Sequence, residues 1–190
     1  YTLLQTESLF KEGKHTKGNT KAEAVMLLNH QAALDYVLNK PDYFRELTVQ
    51  KILEIHRFLT KGLGIPNKIR AGRVGITGTN YKPLAKANQI QKALQDLCDL
   101  INSKRNVLEK AFIALLLIAY IQPFEDGNKR TARIICNALL LPNKYCPISF
   151  RTVEPEDYRY ATLLFYEQNS IPSFKKIFME QLEFSTANYF

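Results

Sequence analysis

The sequence predicts a mostly α-helical fold carrying one small β-hairpin, and three observations point to it. Apolar residues recur at helical spacing, as in Val49, Ile52, Leu53, His56 and Leu59, which share one face. A continuous apolar run from Ala111 to Ile121 lies within a further helical segment. One segment, Arg73 to Leu84, departs from this pattern: β-branched residues alternate, Gly78-Thr79-Asn80 follows, and a second short extended piece begins, which is hairpin patterning.

The elements follow in order. A first helix is predicted over about 21–38, and the stripe Val49 to Leu59 sets a second. The hairpin over 73–84 comes next, followed by the stripe Ile90, Leu94, Leu97, Leu100 and Ile101. Further helices are expected at 107–120, 128–140, 155–167 and 172–184. Pro155 suits a first helical turn, where its missing N–H has no partner to lose. No repeat or low-complexity tract divides the chain, so residues 1–190 read as one domain.

Composition bounds the function. With 190 residues, 46% hydrophobic and 23% charged, the chain can bury one sizeable core. The apolar run of eleven residues is well short of the roughly 20 needed to span a bilayer. The opening Tyr1-Thr2-Leu3 shows no basic-then-apolar leader, and the expected setting is cytoplasmic, away from membranes. Cys98, Cys136 and Cys146 are odd in number and lack metal-ligand spacing, so they read as reduced core thiols. A net charge of +8 favours acidic partners. Because Lys and Arg are dispersed without a basic block or aromatic platform, nucleic acid is the disfavoured choice among those partners.

The chemistry is concentrated in Gln122-Pro123-Phe124-Glu125-Asp126-Gly127-Asn128-Lys129-Arg130-Thr131-Ala132-Arg133. A helix starting at Gly127–Asn128 would present unpaired N–H groups with partial positive charge, a place for an anion. Gly127 permits close approach, Lys129 and Arg130 add charge, and Arg133 lies one turn beyond Arg130. Asp126 suits Mg²⁺, which takes one or two carboxylates together with phosphate oxygens. A polyphosphate site accounts for all of these, and a capped surface helix with ion pairs is the plain alternative.

These residues strongly resemble the Fic family motif, His-x-Phe-x-(Asp/Glu)-Gly-Asn-x-Arg-x-x-Arg, through Phe124, Asp126, Gly127, Asn128, Arg130 and Arg133. The resemblance implies an all-α helical bundle with a small β-hairpin flap. It divides the chain into an N-terminal helical region (1–40), a core (45–145) and C-terminal helices (150–190). It also implies AMP transfer from ATP to a hydroxyl of a target protein, with ATP as co-substrate and Mg²⁺ on Asp126. Gly127, Asn128 and Lys129 would surround the α- and β-phosphates, Arg130 would stabilise the departing pyrophosphate and Arg133 would orient the γ-phosphate. Phe124 would anchor the loop in the core. Val74, Gly75, Ile76 and Thr77 of the flap would hold the target by adding it as an extra strand.

Gln122 stands where the motif has His. An imidazole with a pKa of about 6.5 can take a proton from an attacking hydroxyl, whereas a carboxamide can only orient that hydroxyl. A weak or inactive adenylyltransferase is therefore one reading, and a nucleotide-binding pseudoenzyme acting through partners is the other. His15, His30 and His56 offer no replacement: His56 is on an apolar stripe, His30 is in a helix pattern and His15 is in a loop. A second resemblance is at the amino end, where Ser8-Leu9-Phe10-Lys11-Glu12-Gly13 fits the (Ser/Thr)-x-x-x-Glu-(Gly/Asn) motif of autoinhibited members. By that resemblance Glu12 would pair with Arg133 and displace the γ-phosphate; as a plain helix end, Gly13 would be a left-handed cap. Neither the target nor the oligomeric state leaves a trace in these residues.

Overall fold

The computed structural model describes Leu9, Lys11 and residues 20–189, the last by its backbone only. Seven α-helices span the continuous part: α1 (Lys21–Asn39), α2 (Val49–Thr60), α3 (Ala87–Ser103), α4 (Val107–Ile121), α5 (Asn128–Leu140), α6 (Pro155–Gln168) and α7 (Pro172–Tyr189). Short 3-10 turns follow α1 at Pro41–Phe44 and α5 at Leu141–Asn143. Leu9 and Lys11 are helical as well, and Leu9 is buried.

Local chemistry sets the boundaries. Thr20 and Glu23 close a capping box on α1, each side chain accepting from the other's backbone N–H at 3.2 and 2.6 Å. Asn106 caps α4, its Oδ1 accepting from the N–H groups of Leu108 and Glu109. Pro155 occupies the first turn of α6, as expected. Because α4 is apolar on nearly every side, it can be stable only inside the bundle. It packs against α3 on one flank and α5 on the other, while α1 and α2 also pack on α5 or on each other, and α6 packs on α7. One buried cluster runs from Ala33 through Ile118 and Ile135 to Leu182. No described helix is long and apolar enough to cross a membrane.

The expected hairpin is corrected. The described residues contain no β-strand, and 73–84 is a loop with a turn at Thr77–Gly78. Its base is closed by the Gly72 N–H donating to the Ala85 carbonyl at 2.9 Å. Above the base the loop binds the helices: the Asn80 N–H donates to Glu167 of α6, and the Tyr81 hydroxyl donates to the Tyr120 carbonyl of α4. Tyr81 also stacks on Tyr120 with ring centroids 4.3 Å apart. Alternating β-branched residues predict an extended backbone but not its partner, and a two-stranded pair alone is marginal. Here the helices supply the partners.

Candidate functional site

The site begins where α4 ends. Gln122 terminates that helix in the left-handed region, with φ 52° and ψ 58°, an uncommon conformation for a residue with a side chain. The reversal sends residues 123–127 back across the helix end toward the start of α5. Phe124 is fully buried, and its ring stacks on His56 at a centroid distance of 3.7 Å. His56 Nε2 lies 3.0 Å from the Asp126 carbonyl and Nδ1 lies 3.2 Å from Asn67. Burial, chiefly, lowers the His56 pKa. His56 is thus a core histidine with both nitrogens engaged, as its apolar stripe suggests.

Asn128 braces the loop. Its Oδ1 accepts from the Phe124 N–H, and its Nδ2 donates to the Phe124 carbonyl and to Gln122 Oε1, all at 2.9 Å. The Gln122 Nε2 in turn donates to the Ala119 carbonyl, which also accepts from the Tyr166 hydroxyl. Both ends of the Gln122 carboxamide are therefore occupied, and the residue is 9% exposed.

Gly127 precedes α5 with φ 84°, and a Cβ there would meet His56 and Thr60 at 3.4–3.5 Å. Those are ordinary contact distances, so it is the left-handed backbone conformation that calls for glycine. No side chain caps α5, and the first N–H to find a helical carbonyl is that of Thr131, which donates to Gly127 O at 2.8 Å. The N–H groups of Asn128, Lys129 and Arg130 remain outside the helix ladder, at its electropositive end.

This helix start opens into a cleft of about 540 Å³. Gln122 and the segment Glu125–Arg130 form its floor, Gly75, Ile76 and Thr77 form one wall, and Arg159, Thr162, Leu163 and Tyr166 of α6 form the other. The fold therefore brings the motif and three of the four expected docking residues to one space. Val74 is half-buried and does not line it. Arg133 also lies outside, lining a separate cavity of about 300 Å³ with His30 and Asn137. Its guanidinium sits over the rings of Tyr158 and Phe150, at 4.9 and 5.5 Å.

Charge is unevenly distributed. Asp126 Oδ1 accepts from the Gly127 N–H, and Oδ2 pairs with Arg130 Nη2 at 3.2 Å. Arg130 Nη1 and Arg133 Nε are buried without hydrogen-bond partners. Desolvation and the charges of Arg133 and Arg159 lower the Lys129 pKa. His30 is lowered by burial first, then by Arg133 and Arg130. Among the described residues no group of three or more His, Cys, Asp or Glu side chains is arranged to hold a metal. The exposed Asp126 carboxylate suits an ion that arrives with phosphate oxygens. Ser8, Glu12 and Gly13 lie outside the described residues. Cys98, Cys136 and Cys146 are buried free thiols and do not line this cleft.

Sequence reasoning missed the α6 wall and a buried arginine, Arg70. The Arg70 Nε donates to the Gln122 carbonyl at 2.6 Å, and its backbone N–H donates to the Pro123 carbonyl at 3.0 Å. Neither has a local signature; Arg70-Ala71-Gly72-Arg73 reads as a polar loop.

A model of the Fic/DOC family matches residues 46–140. The chain is 26% identical over 199 aligned residues to protein adenylyltransferase fic-1 of Caenorhabditis elegans, covering 99% of this chain and 38% of that protein. It is 30% identical over 165 residues to protein adenylyltransferase Fic of Nematostella vectensis, covering 83% of this chain and 38% of the relative. It therefore spans 38% of the length of each of these two relatives. A solved fragment of Fic-1 from C. elegans shares the fold with a TM-score of 0.84 at 24% identity, over 100% of this chain and 57% of that one.

Proposed function

The chain belongs to the Fic/DOC family, and from that premise we propose that it is a protein adenylyltransferase module, moving AMP from ATP to a hydroxyl of a target protein. The observation that carries this reading is the uncapped start of α5, opening into a cleft walled by the 73–84 loop. The names of the two relatives, both protein adenylyltransferases, support the same chemistry.

In such a transfer the hydroxyl oxygen bonds to the α-phosphorus, the bond to pyrophosphate breaks, and the hydroxyl proton must leave. The N–H groups of Asn128, Lys129 and Arg130 suit the phosphate oxygens, with Gly127 allowing close approach. Arg130, with one buried nitrogen unpartnered, suits the charge growing on pyrophosphate; Arg133, with its free Nε, lines the separate cavity and would have to turn out of it to meet the γ-phosphate. Asp126 would hold Mg²⁺, whose contribution is to neutralise phosphate charge. Gly75, Ile76 and Thr77 would present the target segment along the cleft. Arg133 is also where Glu12 would act as an inhibitory partner.

Gln122 limits the chemistry. It has no titratable nitrogen, and its carboxamide is committed to Ala119 and Asn128. Without a general base, transfer is slower by about 10²–10⁴-fold. The same observation favours a second reading, a nucleotide-binding module that acts through partners. Labelled-ATP transfer with Mg²⁺, run on the native chain, Gln122→His, Glu12→Gly and the double variant, separates the two. Calorimetry with ATP accompanies each sample. Label on Gln122→His or the double variant but not on the native chain identifies a transferase frame lacking its base. ATP binding with no label on any variant sinks the transferase reading.

A further inference from the structure

Arg70 is 1% exposed, yet it has no carboxylate partner among the described residues. Its Nε donates to the Gln122 carbonyl, its Nη1 donates to the Gly72 carbonyl, both at 2.6 Å, and its Nη2 is buried without a partner. An unpaired buried guanidinium is costly, so its surroundings must offset it. The offset comes from the end of α4. A helix C-terminus is electronegative and leaves its last carbonyls unpaired, and Gln122 is the residue that closes this helix. Burial still lowers the Arg70 pKa, with Tyr81 opposing that effect.

Three attachments follow from one residue. The side chain grips the carbonyl of the first motif residue, the backbone N–H grips Pro123, and Nη1 grips Gly72, where the Gly72–Ala85 bond closes the base of the 72–85 loop. The docking loop and the motif loop, distant in sequence, are thereby joined through a single planar fork. Asn80 and Tyr81 tie the far end of the loop to α6 and α4, and Arg70 ties its near end to the motif.

We propose that Arg70 is a positioning residue that holds the 73–77 loop and Gln122 in fixed register, so that a hydroxyl carried on that loop arrives beside residue 122. This rests on the adenylyltransferase reading for its purpose but not for its physical content. Arg70 touches no substrate; it acts through the two carbonyls it holds. Precise placement matters because a displacement of about 1 Å can reduce a transfer rate by about a hundredfold.

The test uses Arg70→Met, which keeps the apolar stem and removes every side-chain donor, and Arg70→Lys, which keeps charge without the fork. Both are made in the full chain, alone and with Gln122→His. Backbone hydrogen exchange is followed by mass spectrometry. In Arg70→Met, exchange should accelerate by about tenfold over 72–77 and 122–127 together, while α2 and α3 stay unchanged. Arg70→Lys should lie between, and it carries the test if Arg70→Met does not fold. With Gln122→His, losing Arg70 should lower kcat for transfer by about tenfold or more while KM for ATP stays within about twofold. Acceleration at 72–77 alone, or equal loss of ATP binding and rate, overturns the proposal. Absence of any transfer by Gln122→His, both alone and combined with Glu12→Gly, removes the adenylyltransferase reading, and the exchange data still decide whether Arg70 joins the two loops.

Discussion

At the scale of single residues, histidines and Gln122 show how position overrides residue type. His56 looks like chemistry in a list of residues, but both ring nitrogens are taken and Phe124 covers its face. His30 is packed near two arginines, and its pKa, like that of His56, is lowered. Neutral forms are therefore favoured in the folded state, while the unfolded chain binds protons at about pH 6.5. Stability should be full above about pH 6.5 and should decline as the pH falls below it, because the unfolded state gains protons first. Thermal midpoints measured from pH 7.5 to 5.0 should show this slope, and His30→Gln should reduce it. A midpoint that rises as pH falls would contradict the burial assigned to both rings. Gln122 shows the reverse case: it was legible as a non-basic residue from sequence alone, but its commitment to Ala119 and Asn128 appears only in three dimensions.

At the scale of elements, the start of α5 was legible and the hairpin was not. Asp-Gly-Asn followed by cations signals a helix start with an open anion site, and α5 does begin at Asn128 without a side-chain cap. Gly127→Ala would force a Cβ into a backbone at φ 84°, a conformation that side-chain-bearing residues rarely adopt. Such a change costs about 1–3 kcal/mol in strain, and it should shift the N–H groups at the start of α5 as well. Denaturant melts should show the loss of stability, and calorimetry should show weaker ATP binding than in the native chain. Stability and binding both unchanged would mean that the reversal at Gly127 tolerates a side chain. The 73–84 loop carries the right residues for extended backbone, yet it spends its polar groups on Glu167, Thr79 and Tyr120. Period-two patterning reports what one chain segment can adopt, and the identity of its neighbour lies elsewhere in the sequence.

At the scale of the whole molecule, the matched family segment stops at residue 140, whereas the cleft wall extends to Tyr166. Helix α6 is positioned by α7, whose Phe174 meets Tyr158 of α6 and whose Phe178 meets Phe112 of α4. Phe178 is 1% exposed, so Phe178→Ala removes a buried ring at the joint between α7 and α4. The expected loss is about 3–5 kcal/mol, read by denaturant unfolding. Because α6 depends on that joint, ATP binding should weaken in the same variant even though Phe178 does not line the cleft. A stability loss below about 1 kcal/mol would show that α7 is not needed to hold this wall.

The sequence by itself determined the helices, the helix start after Gly127 and the lack of a base at residue 122, while the core placement of Phe124 came from the family resemblance. Helical periodicity, glycine conformation and side-chain ionisation are local properties, so they can be read one segment at a time. Tertiary structure alone decided that loop 73–77 faces the motif, that α6 completes the cleft, that Arg133 lines a separate cavity and that Arg70 grips two loops. Those outcomes depend on which surfaces meet. Contacts between residues such as Arg70 and Gln122, 52 positions apart, leave no periodic signal in the chain that makes them.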